Sequence, residues 1–429
     1  MGRTMRGASV AVIAGAMLVT TATMSAAVPQ APAPKPGTER ITLSATGEQG
    51  DDSSYGPEFS ADGRFALFSS DASNLVPGDT NGSGDAFVRD LRKGTVERVS
   101  VGSDGVQADA TSSGASISAD GRYVLFRSTA RNLVHWDNPP TEAGVYDLYL
   151  HDRRTGTTER VSVALDGGSA YTADAAMSAN ARYIAFRAKA DRMEKDPADL
   201  FGAVYVLDRR TGEVERINNR DRPTNPAVLG GLSADGRYVS YTQMVPRSSY
   251  GVTWVHDRRT GTEEQVNVRP DGSPAERYAW PNSLSADGRT IAFTYWGGDL
   301  VPDETPGTQD LYVRDLRTDV TRRIDASAAG EENPREPVLS PDGRYLTYKA
   351  DPRLADGRLG PANVYLRDLR TGSTRLVSES VSGGPVTDND VTVSSIGPGA
   401  RRIGLSSQSA QLVPDDTNGT SDGFVRRPN

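Results

Sequence analysis

Ser60-Ala61-Asp62-Gly63-Arg64, running into Phe65-Ala66-Leu67-Phe68, is the stretch whose reading decides the fold. Asp-Gly supplies the positive φ that a tight hairpin turn needs, and the apolar residues after it read as a strand. The pentapeptide or a variant returns at Ser118, Ser178, Ser233, Ser285 and Ser340, and a degenerate copy, Gly-Pro-Gly-Ala-Arg, starts at Gly397. The period is about fifty-five residues, in the range of repeat architectures.

The rest of each copy follows the same plan. After a longer loop comes a third strand, as in Ala86-Phe87-Val88, Leu148-Tyr149-Leu150, Leu311-Tyr312-Val313 and Val364-Tyr365-Leu366. It ends in a second tight turn, Asp-x-Arg-Thr-Gly, at Asp152–Gly156, Asp208–Gly212 and Asp368–Gly372. A fourth strand follows, Glu97–Val101 in the first copy and Glu159–Val163 in the second. Four short antiparallel strands make one blade of a β-propeller, so seven copies predict seven blades and an all-β fold. The last copy stops after its third strand, at Phe424-Val425-Arg426-Arg427, while Glu39-Arg40-Ile41-Thr42-Leu43 matches the fourth. The two ends of the chain should therefore share one blade, closing the ring and leaving no open edge.

These Ser-Ala-Asp-Gly-Arg and Ser-Pro-Asp-Gly-Arg turns, with an aromatic third strand and Asp-x-Arg-Thr-Gly, resemble the TolB-type propeller repeat of secreted bacterial proteins over roughly residues 38–427. The resemblance implies a propeller of the kind that serves as binding platform, scaffold or enzyme accessory domain. The pattern departs at Ala181, which replaces the turn glycine, and at Asp319, which replaces the glycine of the second turn. TolB also carries an α/β domain and works with the Tol–Pal system. Residues before 38 offer nothing for such a domain, and the Tol–Pal role is not carried over.

Around this repeat the composition is turn-rich, with 44 Gly and 26 Pro among 429 residues. Arg3 and Arg6, an apolar run from Ala8 to Val19 and the small residues Ser25-Ala26-Ala27 read as a signal peptide over 1–27. Residues 28–37 form a Pro-rich linker, and 38–429 the propeller. The expected product is secreted, monomeric and not inserted in a membrane once the signal is removed. There is no cysteine, hence no disulfide and no lipid attachment. The formal charge of -8 argues against a nucleic-acid partner, because phosphate binding needs a basic surface.

In a meander the a–b and c–d turns share one end of the blade, and the b–c and d–a connections share the other. The first pair is short and uniform here, the second long and varied, so function is expected on the b–c/d–a face. Its sharpest pattern is Asp79-Thr80-Asn81-Gly82-Ser83-Gly84-Asp85, repeated as Asp416-Thr417-Asn418-Gly419-Thr420-Ser421-Asp422. The fifth copy keeps Glu304 and Asp310. Alternate oxygen side chains around a turn glycine are a spacing that calcium favours, with Asp109, Asp174 and Asp390 as further ligands. The competing reading is that Asn-Gly makes a turn and Asp caps it. Trp136, Trp280, Trp296 and Tyr278, with Tyr171 and Tyr250, fall in or beside these loops and offer a contact face for a protein, peptide or glycan. They could equally pack the loops onto the disc. Trp254, at a third-strand aromatic position, reads as core.

For catalysis the sequence offers little. His151 and His256 occupy a position where other copies carry Arg89, Leu207, Arg314 and Arg367, which reads as structural and exposed, and His135 stands alone on a loop. A histidine metal site or Ser-His-Asp triad is not expected. A non-catalytic binding scaffold is the preferred reading. The alternative is a polysaccharide-active hydrolase or lyase using carboxylates of the variable face.

Overall fold

The seven blades expected from the repeat are the seven four-stranded antiparallel sheets of the structure. This computed structural model describes Met1 and residues 37–428 apart from 141, 196–201, 219–225, 245–250, 276, 278, 303–308 and 326–329. Of the expected signal peptide all but Met1, and of the linker all but Gly37, lie outside the described residues.

Blade 1 runs Ser54–Phe59, Phe65–Ser70, Asp85–Asp90 and Val96–Arg98, strands a to d from the channel outward. Blades 2 to 6 repeat that order, beginning at Ser112, Ala175, Ala227, Ala279 and Glu331. Blade 7 is shared as expected: Val391–Ile396, Ile403–Ser407 and Asp422–Arg427 are completed by Gly37–Arg40. The closing pair is antiparallel, with Glu39 opposite Val425 and Arg40 opposite Phe424. The strand thus begins two residues before the expected Glu39, and its pairing ends where Ile41 donates its N–H to Gly423 at 2.9 Å. Among the described residues no helix is long and apolar enough to cross a membrane.

The core is divided among the blade junctions. Leu67 and Val88 of blade 1 pack on Val124, Phe126 and Tyr149 of blade 2, while Phe68 and Phe87 pack on Ile41 and Val425 of blade 7. In blades 1 and 2 strands b and c each place one aromatic side by side, and the two rings stack within the blade, 5.6 Å apart for Phe68–Phe87 and 5.5 Å for Phe126–Tyr149. Trp254 packs on the cluster between blades 3 and 4, as its position suggested.

The repeated pentapeptide does more than turn the chain. Ser60 Oγ donates to Asp62 at 2.7 Å, and the Phe65 N–H donates back to Ser60 Oγ at 3.0 Å, so serine and aspartate lock the hairpin. The alanine joins blade to blade: Ala61 N–H donates to Ala119 O, Ala119 to Ala179, Ala179 to Ala234, Ala234 to Ala286 and Ala286 to Pro341, at 2.8–3.0 Å. A small residue is required because all seven copies converge on the channel exit. The turn glycine has two reasons to be glycine. Gly121 has φ +70°, and a Cβ there would lie 2.2 Å from the ring of Phe65 in the preceding blade. Ala181 and Asp319 adopt the same left-handed conformation, at φ 56° and 58°.

Candidate binding face

The b–c and d–a connections do share one face, and buried polar contacts hold them in shape. Five d–a connections close as small hairpins, with bridges Leu43↔Gln49, Val101↔Gln107, Val163↔Ser169, Val268↔Pro274 and Glu379↔Pro385. Beneath them the first residue of strand c is a buried aspartate in blades 1, 2 and 7: Asp85, Asp147 and Asp422. The hydroxyl of the residue two beyond strand d donates to each: Ser100 to Asp85 at 2.6 Å, Ser162 to Asp147 at 2.8 Å and Thr42 to Asp422 at 2.7 Å.

This arrangement decides how the Asp-Thr-Asn-Gly pattern is used in the structure. In blade 7 the Arg40 guanidinium lies between the carboxylates, 3.0 Å from Asp416 and 3.0 Å from Asp422. In blade 1 Arg98 is 3.4 Å from Asp79 and 3.8 Å from Asp85, and Gln107 Nε2 donates to both, at 2.8 and 2.9 Å. The Asn81 and Asn418 amides donate to Asp85 and Asp422 and to the carbonyls of Ala108 and Gly50. Burial pushes the carboxyls of Asp85, Asp416 and Asp422 up, opposed by these hydroxyl, amide and guanidinium partners. The sequence reading missed the arginine. Its signal was present as Arg40 and Arg98 at the second position of the fourth strand expected from the sequence, with Gln49 and Gln107 at equivalent places in the hairpins that follow.

The remaining site expectations separate. Asp310 opens strand c of blade 5, 3.8 Å from Arg323. Glu304, Tyr278 and Tyr250 lie outside the described residues. Asp109 accepts from the Arg131 N–H, Asp174 pairs with Arg187 at 2.9 Å, and Asp390 accepts from the Ala362 N–H at 2.7 Å, so each fastens its own loop. Trp136 packs on the core between blades 1 and 2, its ring covered by Arg160 at 3.8 Å. Trp280 lies within inner strand Ala279–Leu284, and Tyr171 is covered by Lys189 at 4.2 Å. Trp296 is exposed, at 50%. It is joined on this face by Tyr55, Val106, Val163, Leu165, Leu359 and Val381, all exposed.

The histidine position is a correction. His151 is buried, with Nδ1 2.9 Å from Thr158 Oγ1, and burial pushes its pKa down. Arg314, at the same place in blade 5, is buried too and bridges Glu264 and Asp319. Side chains of different type fit because strand d and the preceding blade cover the site, each with its own partner, and not because it faces water. His135 is on the surface beside Asp137. Among the described residues no group of three or more His, Asp and Glu side chains is placed to hold a metal. The inner strands enclose a channel cavity of about 430 Å3 whose walls include Glu58, Ser116, Asn282 and Glu336. Glu58 accepts from Ser116 Oγ at 3.0 Å, and burial in the wall pushes its carboxyl up to about 7.

No protein-family model matches the sequence, and no curated protein matches it. Solved structures do. An oligogalacturonate lyase in complex with manganese aligns with a TM-score of 0.57 at 13% identity, over 91% of this chain and 93% of that one. The β-propeller domain of the Trilobed protease from Pyrococcus furiosus aligns at 0.52 and 11% identity, over 87% and 93%. A TolB from Acinetobacter baumannii is matched at 0.41 and 15% identity, over 71% and 61%. The chain is a seven-bladed β-propeller. At these identities what is shared is the fold. The Pyrococcus domain has an open velcro topology, whereas this propeller is closed by Gly37–Arg40.

Proposed function

We propose that this propeller is an exported, non-catalytic scaffold that binds a protein, peptide or glycan through its b–c/d–a face. One observation carries the reading. Among the described residues after Met1, the exposed large apolar side chains gather there, Tyr55, Val106, Val163, Leu165, Trp296, Leu359 and Val381, with Val214 and Val320 on the outer strands. Apolar side chains exposed on loops fastened by hairpin bridges, and in blades 1 and 7 by buried ion pairs, offer a contact surface with little ordering cost on binding. Calcium enters this reading only by displacing Arg40 or Arg98 from the loop carboxylates. A rise in melting temperature with calcium, lost in Asp79→Asn and Asp416→Asn, is the result that would establish it.

Arrays of peptides and glycans probed with the secreted protein test the proposal. Saturable binding without turnover, weakened by Trp296→Ala or Leu165→Ser, is expected. Binding unchanged in both variants would remove the face from the argument. The second reading, a polysaccharide hydrolase or lyase, has Glu58 in its favour, a channel carboxyl near pKa 7 in a fold shared with an oligogalacturonate lyase. Release of reducing ends or unsaturated uronates from a polysaccharide, abolished by Glu58→Gln, would decide for it.

A further inference from the structure

On the opposite, uniform face the arginine after the a–b turn has a repeated duty. In blades 1, 2, 3, 4 and 6 it forks onto the aspartate of the c–d turn: Arg64–Asp90 at 2.7 Å, Arg122–Asp152, Arg182–Asp208 at 2.6 Å, Arg237–Asp257 at 2.5 Å and Arg344–Asp368 at 2.7 Å. In blade 5 Arg289 faces its own turn residue Asp287 instead, at 3.9 Å. The next residue is aromatic in those five blades, and in blades 1 to 3 it is sandwiched by an arginine of the following blade, as Phe65 is between Arg64 at 4.6 Å and Arg153 at 4.3 Å.

Blade 7 breaks both rules at once. Its arginine is Arg401, the aromatic place is taken by Arg402, and strand c ends in Arg427 where the aspartate belongs. Neither Arg401 nor Arg402 has a side-chain hydrogen bond or ion pair among the described residues, and Arg402 Nε is buried. Arg427 gives one guanidinium nitrogen to Glu39 at 2.5 Å, but its buried Nε has no partner. Of the acids nearby, Glu39 is held by Arg427, and Asp62 accepts from Ser60 Oγ and the Arg64 N–H through one carboxylate oxygen. Between blades 7 and 1 a cleft of about 300 Å3 opens, lined by Asp62, Gly63, Gly397, Arg401 and Arg402. Burial, with Arg427, Arg92 and Arg401 around it, pushes the Arg402 pKa down, as expected of a cation crowded by cations.

We infer that this seam is a carboxylate-binding site that takes an Asp or Glu side chain of an acidic peptide partner. The chemistry is read from the other blades: the group this arginine position holds elsewhere is a carboxylate, and here the chain does not supply it. A guanidinium fork matches a carboxylate with two parallel hydrogen bonds. The site lies on the face away from the one proposed above for the main partner, so the two stand or fall separately.

The test uses the full exported chain and a fluorescein-labelled hexaglutamate peptide, with hexaglutamine as control, read by anisotropy. Saturable binding of the glutamate peptide alone is expected. It should weaken at least tenfold in Arg401→Ala, in Arg402→Tyr, which restores the aromatic, and in Arg427→Asp, which supplies the carboxylate in cis. Because Arg427→Asp also gives up the Glu39 pair, its far-ultraviolet circular dichroism and a cooperative melt are measured alongside, which separates loss of the site from loss of the fold. No binding to the parent, or undiminished binding to a folded Arg427→Asp, would overturn the inference. Displacement by inorganic phosphate at lower concentration than by unlabelled hexaglutamate would overturn the carboxylate assignment.

Discussion

Blades 1 to 4 and blade 7 are built to one plan, yet they use arginine in opposite ways. In the continuous blades the uniform face is neutralised, one Arg–Asp fork per blade, and the aromatic between blades is capped by guanidinium groups. In the split blade that face carries Arg401, Arg402 and Arg427 without a turn aspartate, while the other face is closed by Arg40 reaching across the chain ends to Asp416 and Asp422. A hairpin can keep both members of a charge pair on one local segment. A closure made from the two ends of a chain has no c–d turn to place an aspartate on, so its charge pairing moves to the strand itself.

The largest effect expected from this difference comes from removing residues 37–43. That strips the buried Ile41, worth about 1.5–3 kcal/mol. It also leaves Asp416 and Asp422 without their cation, a further loss of about 3–5 kcal/mol. Urea denaturation should show the midpoint falling well beyond what seven residues of an ordinary loop would cost. A midpoint near the parent's would mean that the ring does not depend on its closing strand.

Next is the contrast between Arg40→Met and Arg98→Met. The first should cost about 3–5 kcal/mol, since two buried carboxylates lose their only guanidinium. The second should cost clearly less, because Gln107 still donates to both Asp79 and Asp85. Equal losses would show that the seam is no more dependent on its arginine than a continuous blade.

Acid sharpens the comparison from the other side. The arginine forks hold Asp208, Asp257 and Asp368 at about 2, against 3.8 for a free aspartate. A lowered carboxyl stabilises the fold above pH 3.8, and that contribution drains away as the pH falls from 3.8 towards 2. Asp257→Asn should flatten stability against pH in that window. Glu58 has the opposite sign: raised from 4.5 to about 7, it costs stability as the pH rises from 4.5 to 7, and Glu58→Gln should remove that decline.

The smallest effect is at Ala181, the one alanine at the turn-glycine place within blades 1 to 4, at φ 56°. Ala181→Gly should relieve left-handed strain and stabilise by at most about 1 kcal/mol, read as a small rise in melting temperature.

How much of this was legible depended on distance along the chain. The turns could be read because Asp-Gly acts within four residues, and the blade count followed from repetition. The shared blade followed from the match between Glu39–Leu43 and the fourth strands. The loop carboxylates were legible only as a pattern. That Asp422 meets Thr42 and Arg40 across nearly the whole chain is visible only once the ring closes. The histidine position failed for a related reason. Variation among copies looked like exposure, but each buried side chain had been matched by a partner elsewhere, Thr158 for His151 and Glu264 for Arg314.

By itself, then, the sequence determined what short-range physics can specify: seven hairpin-linked blades, their order, and a chain whose ends complete one another. Only the tertiary structure decided which charges meet. Coulomb and hydrogen-bond partners are chosen by proximity in space, and here proximity comes from ring closure. It sets Arg40 between two aspartates on one face and leaves Arg401 and Arg402 without a carboxylate on the other.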